Sequence, residues 1–255
     1  MKSLTTTLGQ KKSEGTKLFI PYIMAGANGL ETLEAEIKTL AANGATAIEI
    51  GVPFSDPVAD GPVIQAAGLL ALHHGVTFKK IIQTLQGIDS PVPLILMGYA
   101  NSFFHYGLEA LVTDLQTTDV KAWIIPDVPY EHRELILPSL EETDIVLIQL
   151  ISLTSPQERI EKLVQEAQGF VYAVTINGTT GTGKDYRQGL DEHLASIAKL
   201  SPVPVVAGFG VSSREHVERF NQACDGVVVG SKIVKTLQAE GVTGVTTLMQ
   251  ELTRK

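Results

Sequence analysis

The stretch GATAIEIGVPFSDPVADGP, from Gly44 to Pro62, combines a short strand-like run with a rigid loop. The run is mostly apolar, yet Glu49 lies in its middle. A strand buried in a parallel sheet usually consists of a nearly uninterrupted run of apolar residues. An ionisable group there costs desolvation free energy unless it is paired or faces a wet cavity. We therefore interpret Glu49 as a candidate functional residue on a buried strand.

The loop after this run is stiffened by prolines and carries two more carboxylates. Pro53 and Pro57 fix their own φ angles and restrict the residues before them. Such a loop can hold Asp60 at a set distance from Glu49, and two carboxylates in one cleft can have different pKa values. A second interpretation stays open from these residues alone, in which Glu49 pairs with a cation and Asp56 and Asp60 cap a helix.

Apolar runs of strand type recur along the whole chain and alternate with amphipathic helical segments. This alternation predicts a parallel sheet, and eight strands close it into a barrel whose active site lies at the loops after the strands. An open doubly wound sheet is the alternative, but no G-x-G-x-x-G follows the first run. The eight runs are Leu18–Gly26, Ala45–Pro53, Pro93–Tyr99, Lys121–Asp127, Asp144–Ile151, Gly169–Ile176, Pro204–Gly210 and Gly226–Ser231.

The predicted fold is one (β/α)8 TIM barrel domain over residues 1–255, with an N-terminal helix in residues 1–12. Leu4 and Leu8, one helical turn apart, are expected to pack this helix on the bottom of the barrel. The strand starts at 45 and 93 are 48 residues apart, and those at 169 and 204 are 35 apart. Loops two and six are therefore extended. Loop six, NGTTGTGKDYRQG from Asn177 to Gly189, is interpreted as a lid, with disorder as the alternative.

Composition excludes several classes of function. The chain has 255 residues, a formal net charge of −8 and a pI near 5.3, which argues against nucleic acid or an anionic membrane as partner. Cys224 is the single cysteine, so no internal disulfide or thiolate metal cluster is expected. The first residues, MKSLTTTLGQKK, contain no apolar signal core. We expect a cytoplasmic protein.

Glycines follow the last three predicted strands. Exposed backbone N–H groups at a helix N-terminus form an anion site, and loops seven and eight of this barrel class frequently hold phosphate. Glycines also make tight turns, but their coincidence in three consecutive loops favours a small phosphorylated substrate. The residues are Gly178 and Gly181 after strand six, Gly208 and Gly210 around Phe209 after strand seven, and Gly230 with Ser231 after strand eight.

Several segments closely resemble the tryptophan synthase alpha chain family, and the similarity runs along the whole chain. The resemblance implies retro-aldol cleavage of indole-3-glycerol phosphate to indole and glyceraldehyde 3-phosphate, with no metal or organic cofactor in this chain. The segments that carry it are PFSDPVADGPVIQ from residue 53, LMGYANSFFHYG from 96, IIPDVP from 124, GFGVSS from 208 and DGVVVGS from 225.

The resemblance also implies a role for individual residues. Glu49 is expected to deliver a proton to indole C3 and remove one from the adjacent hydroxyl, because a carboxyl with apolar neighbours has a raised pKa. Asp60, on a loop expected to be more solvated, is expected to stay ionised and accept the indole N–H. The implied substrate-binding residues are Tyr22, Tyr99, Tyr172, Thr180, Gly181, Phe209, Gly210, Gly230 and Ser231.

The family further implies a partner, the pyridoxal-phosphate beta chain, in an alpha2-beta2 tetramer. Large apolar residues cluster on or just after loops two and three. An exposed cluster of this kind is typical of a protein–protein interface. Packing beneath their own loops is the alternative. The predicted interface residues are Pro53, Phe54, Asp56, Asn101 and Phe104, with Val58, Phe103 and Tyr106 beside them.

Two departures from the family pattern affect loops. The usual Gly-Asp-Pro after strand one is Gly26-Ala27-Asn28, and Ile176-Asn177 replaces a frequent Arg-Ala before the loop-six glycine.

Two other functions remain as alternatives to the lyase: a phosphate-binding regulatory subunit without catalysis, and a phosphosugar isomerase on the same barrel. Cys224 is expected to be structural, and Asp127 is either a rim salt-bridge partner or a support for the site.

Overall fold

Parallel strands form one sheet in the computed structural model of the protein, which describes residues 1–152, 154–175, 189–208 and 210–253. Along these ranges the sheet order is β5-β4-β3-β2-β1-β9-β8-β7-β6. Every pairing is parallel, so all strand C-termini lie at one mouth of the barrel. The strands are β1 Leu18–Met24, β2 Ile48–Gly51, β3 Leu94–Met97, β4 Val120–Ile124, β5 Val146–Leu147, β6 Gln149–Ser152, β7 Val171–Val174, β8 Val205–Gly208 and β9 Gly226–Val229.

The barrel closes through the run that was predicted as one strand, Asp144–Ile151. This run is divided at Ile148 into β5, which pairs with β4, and β6, which pairs with β7. The Ile148 N–H still donates to the carbonyl oxygen of Trp123, at 2.9 Å. The two ends of the sheet are thus consecutive in the chain. The predicted (β/α)8 TIM barrel is confirmed, with its fifth strand in two pieces.

Helices lie between the strands and cover the outside of the barrel. Their starts follow local sequence: Pro62 is in the first turn of α3, and the Thr77 and Ser213 side chains accept backbone N–H groups at the starts of α4 and α10. The helices are α1 Ser3–Ser13, α2 Leu33–Ala42, α3 Pro62–His73, α4 Phe78–Leu85, α5 Ala100–Tyr106, α6 Leu108–Leu115, α7 Leu137–Leu140, α8 Gln157–Gln165, α9 Leu190–Leu200, α10 Arg214–Ala223 and α11 Ser231–Thr253, with 3-10 turns at Leu30–Thr32 and Tyr130–Leu135. Gly241, at φ +63°, interrupts α11.

Helix α1 covers the end of the barrel opposite the strand C-termini. Leu4 and Leu8 are fully buried there, as predicted. The Lys2 Nζ donates to the carbonyl oxygens of Leu140 and Ile145, both at 2.6 Å, and the Thr5 hydroxyl accepts the Gly169 N–H at 2.8 Å. Ile145 and Gly169 precede β5 and β7. The N-terminal helix therefore packs on the bottom, away from the mouth that carries Glu49.

Residues with ambiguous roles in the sequence have structural roles in the fold. Cys224 is buried and burial raises the pKa of its thiol, which fits the predicted structural role. The Asp127 carboxylate accepts the Ala100 N–H at 2.9 Å and so holds the start of α5, directly after Tyr99, which agrees with the supporting role and not with a rim salt bridge. In the described ranges, no helix is both long and apolar enough to cross a membrane, and no group of three His, Cys, Asp or Glu side chains is arranged to hold a metal ion.

Candidate active site

Glu49 lies in the interior of the barrel, on strand β2. It pairs with Tyr22 of β1 on one side and with Ile95 of β3 on the other. Its side chain is only 4% exposed, and its Oε2 has no hydrogen-bond partner among the described residues. The ion pairs found in that part of the chain do not include Glu49. The interpretation in which Glu49 pairs with a cation is therefore wrong for this structure.

Asp60 reaches the same mouth from the loop after β2. The side chain was expected on a solvated loop, but it is only 6% exposed. The reason is tertiary packing: the Ala59 N–H donates to the Tyr99 hydroxyl at 3.0 Å, and the Phe54 ring stacks on Tyr99 with centroids 5.3 Å apart. Asp60 also makes no side-chain cap for α3, whose N-cap is Gly61. The capping interpretation is therefore wrong for Asp60.

Burial separates the pKa values of the two carboxyl groups. Desolvation, and then the charge of Asp60, raises the pKa of Glu49 to about 8. Desolvation also raises the pKa of Asp60 to about 6, and hydrogen bonding from the Tyr99 hydroxyl opposes that rise. Between these two values Asp60 is ionised while Glu49 holds a proton. The pair therefore provides one acid and one anion at neutral pH.

Two tyrosines lean over glycines on the next strand of the sheet. Tyr22 lies two residues before Met24, the register partner of Gly51, and Tyr172 lies two residues before Val174, the partner of Gly208. A Cβ added at Gly51 would overlap the Tyr22 hydroxyl, and one at Gly208 would overlap the Tyr172 ring. Gly51 therefore leaves room for the Tyr22 side chain, which only the strand register reveals.

The predicted phosphate residues that the structure describes follow β8 and β9, at the same mouth as the carboxylates. Gly210 has a φ of +82°, which favours glycine. Ser231 is the first residue of α11, and the Gly230 carbonyl accepts the Val234 N–H at 3.1 Å. A Cβ built at Gly230 would lie 3.7 Å from the Tyr22 Cβ, so this turn adjoins the tyrosine. Thr180, Gly181 and Phe209 lie outside the described residues, as does Ile176-Asn177.

Nearly the whole chain matches a known family. A sequence model of that family, described as tryptophan synthase alpha chain, matches residues 8–254. The chain belongs to the tryptophan synthase alpha chain family. Cleavage of indole-3-glycerol phosphate is the reaction of this family, and the chain is accordingly a lyase of tryptophan biosynthesis.

Individual relatives and structures are similar over nearly their full lengths. The tryptophan synthase alpha chain of Streptococcus gordonii is 54% identical over 238 residues, covering 92% of each chain. That of Listeria monocytogenes is 52% identical over 239 residues, covering 94% of this chain and 92% of the relative. The Campylobacter jejuni alpha subunit structure has a TM-score of 0.83 at 32% identity, covering 92% of this chain and 95% of that one. A Mycobacterium tuberculosis tryptophan synthase structure has a TM-score of 0.89 at 30% identity, covering 98% and 96%.

The residues predicted to contact a tryptophan synthase beta chain differ in accessibility. Asp56 and Asn101 are exposed, and Phe104 is 45% exposed, with Val58 at 74% beside the same loops. Phe54 is half-buried under its stacking with Tyr99, and Pro53 is buried. The neighbouring Phe103, fully buried, packs on Trp123 with ring centroids 5.0 Å apart. Val58 and Phe104 thus form the exposed apolar part of this surface.

The first departure from the alpha chain pattern lies at the end of β1. Gly26 has a φ of +75°, and the Asn28 side chain donates to the Glu36 carboxylate at 2.9 Å. The Thr32 hydroxyl donates to the same oxygen at 2.9 Å. Asn28 therefore ties the loop after β1 to the buried Glu36 of α2 and leaves Glu49 and Asp60 untouched.

Proposed function

We propose that Glu49 and Asp60 divide the cleavage of indole-3-glycerol phosphate between them, Glu49 as general acid and base and Asp60 as the anion that holds the indole N–H. One observation carries this assignment. Two buried carboxyl groups share the mouth of the barrel, and their surroundings raise the two pKa values by different amounts, to about 8 and about 6.

The proton steps balance with these two residues alone. The protonated Glu49 gives its proton to indole C3, and the positive charge that develops at the ring nitrogen is stabilised by the Asp60 carboxylate. Glu49, now ionised, takes the proton of the hydroxyl on the adjacent carbon. The bond between that carbon and C3 breaks, its electron pair restores the aromatic ring, and the hydroxyl carbon becomes the aldehyde of glyceraldehyde 3-phosphate. Glu49 is then protonated again.

The phosphate of the substrate fits the glycine turns after β8 and β9. We assign it to Gly210, Gly230 and Ser231, because the N-terminus of α11 supplies free N–H groups and the positive end of the helix dipole. A phosphate-binding subunit without catalysis would use the same turns. It would not explain a buried Glu49 oxygen that lacks a partner among the described residues. The isomerase alternative conflicts with the family assignment.

Asp60→Asn tests the assignment of the anion. We expect kcat/KM for indole release to fall about 100-fold, because an amide of the same shape cannot stabilise the charged ring nitrogen. For the unmodified chain we expect kcat/KM to rise with pH through about 6, where Asp60 ionises, and to fall above about 8, where Glu49 loses its proton. The acid limb should vanish in the variant.

Asp56→Asn is the matched control, since Asp56 lies exposed on the same loop. It should leave the activity of the isolated chain unchanged. Circular dichroism should show the same fold for both variants. An Asp60→Asn protein with kcat/KM within twofold of the unmodified chain would remove Asp60 from the mechanism.

For the complex, we propose an alpha2-beta2 tetramer in which pyridoxal phosphate belongs to the beta chain and this chain carries no cofactor of its own. Membership in the family implies the complex with a beta chain. The exposed Val58 and Phe104, next to the mouth through which indole leaves, support the position of the interface. A cytoplasmic location is also proposed, on the ground that the family acts in amino-acid biosynthesis.

Phe104→Asp tests that surface. We expect affinity for a purified beta chain to fall at least about 30-fold, because a charge would be buried at an apolar contact. Leu200→Asp is the control, because Leu200 is an exposed leucine at the C-terminal end of α9, outside the loops after β2 and β3. Titration calorimetry gives the affinities, and light scattering gives the mass of the complex. Equal affinities of the two variants would place the interface elsewhere.

A further inference from the structure

The Tyr22 hydroxyl is a buried polar group without a hydrogen-bond partner among the described residues. Tyr22 lies on β1, is 5% exposed and is the register partner of Glu49. The Glu49 Oε2 likewise has no partner in the part of the chain that the structure describes. The other such atoms in the described ranges are scattered over β4, α9 and α10. Two polar atoms without a partner among the described residues therefore belong to side chains that are register partners on neighbouring strands of the barrel.

Packing alone does not account for this hydroxyl. A phenylalanine ring would fill the same space without a polar atom that must be desolvated. The chain instead makes room for the oxygen: Gly51, at the end of β2, leaves the space that the Tyr22 hydroxyl occupies. A buried hydroxyl that costs free energy in the free protein implies a partner that arrives with a ligand.

We propose that the Tyr22 hydroxyl donates a hydrogen bond to the substrate oxygen from which Glu49 takes its proton. A substrate hydroxyl both donates and accepts, so one such group placed between the two residues would donate to Glu49 and accept from Tyr22. The glycerol hydroxyl next to the indole ring has this chemistry. The inference rests on the proposed role of Glu49 and adds a second residue at the reacting oxygen.

The hydrogen bond would act on the step that breaks the carbon–carbon bond. As Glu49 takes the proton, negative charge develops on the substrate oxygen until its carbonyl forms, and a fixed donor stabilises that charge in a water-poor site. Tyr22 keeps its own proton throughout. Burial, followed by the charges of Asp60 and Glu49, raises its pKa well above the ordinary value, so it remains a donor at any working pH.

Tyr22→Phe removes the oxygen and keeps the ring. We expect kcat for cleavage of indole-3-glycerol phosphate to fall about 10- to 100-fold. The free variant should be at least as stable to urea as the unmodified chain, because it loses an unsatisfied polar group. Binding of indole-3-propanol phosphate, which has the ring and the phosphate but neither hydroxyl of the glycerol, should be unchanged by calorimetry.

Tyr130→Phe is the matched control. Tyr130 lies outside the site, and its hydroxyl donates to the Glu166 carboxylate at 2.7 Å. This variant should lose stability and retain turnover, the reverse of Tyr22→Phe. A kcat of Tyr22→Phe within twofold of the unmodified chain would overturn the inference. A loss of affinity for indole-3-propanol phosphate as large as the loss of kcat would overturn it too. Neither result touches the proposed function, which fails only if Glu49 or Asp60 proves dispensable.

Discussion

Glu49→Gln is expected to lower turnover of indole-3-glycerol phosphate at least about 1000-fold and to make the folded chain more stable. The amide has nearly the shape of the carboxyl but can neither give a proton to indole C3 nor take one from the hydroxyl, and general acid–base catalysis contributes about 10²- to 10⁴-fold. Both proton transfers are assigned to this one side chain. Indole release from the purified variant measures the loss.

The gain in stability follows from the raised pKa of Glu49. Between its ordinary value of 4.5 and about 8, the folded chain binds a proton that the unfolded chain has released. The free energy of unfolding therefore falls as pH rises through this window. Glutamine has no proton to lose, so the advantage of the variant should grow from near zero at pH 4.5 to on the order of 3 kcal/mol at pH 7.

Urea unfolding at pH 5 and pH 7.5 tests the sign. Glu36→Gln is the matched control, because Glu36 is also buried, but Asn28 and Thr32 donate hydrogen bonds to its carboxylate. The stability gained by Glu36→Gln at pH 7.5 should be smaller than that gained by Glu49→Gln, and its turnover should be unchanged. A Glu49→Gln protein less stable than the unmodified chain at pH 7.5 would show that the glutamate makes stabilising contacts. Retained turnover would exclude Glu49 as the acid.

The barrel and the position of Glu49 on a buried strand could be predicted from local patterns. Eight apolar runs alternate with helices, and a single carboxylate interrupts one of them; both features can be recognised without tertiary structure. The division of the fifth strand could not be predicted, because the run from 144 to 151 is as apolar as its neighbours. The break at Ile148 separates residues 146–147, which pair with β4, from residues 149–152, which pair with β7.

The burial of Asp60 and the role of Gly51 also depend on contacts that are distant in the chain. Asp60 is covered because Tyr99, 39 residues later, binds the Ala59 N–H and stacks on Phe54. Gly51 is needed because Tyr22, on the neighbouring strand, leans over it. The sequence shows the proline-rich loop and the glycine, but not that Tyr99 contacts the loop or that Tyr22 lies over Gly51. Only the tertiary structure supplies these two contacts.

Gly51→Ala is expected to damage both the site and the fold. The added Cβ would overlap the Tyr22 hydroxyl and lie 2.5 Å from its Cζ, closer than real Cβ contacts allow. The Tyr22 ring must therefore swing into the substrate space, or β2 must shift and carry Glu49 with it. We expect at least about a 100-fold loss of kcat/KM, since displacements near 1 Å have that effect, and about 2 kcal/mol of stability lost to overpacking.

Gly9→Ala is the control, because Gly9 lies within α1 and a Cβ there would meet no atom within 4 Å. Alanine favours helix over glycine, so this variant should be as active as the unmodified chain and equally or slightly more stable. If the overlap with Tyr22 causes the damage, Tyr22→Ala should relieve it. The double variant Gly51→Ala, Tyr22→Ala should then unfold at a urea concentration above that expected from adding the two single losses. Strict additivity would show that Gly51 is needed for its backbone and not for the space that it leaves to the tyrosine.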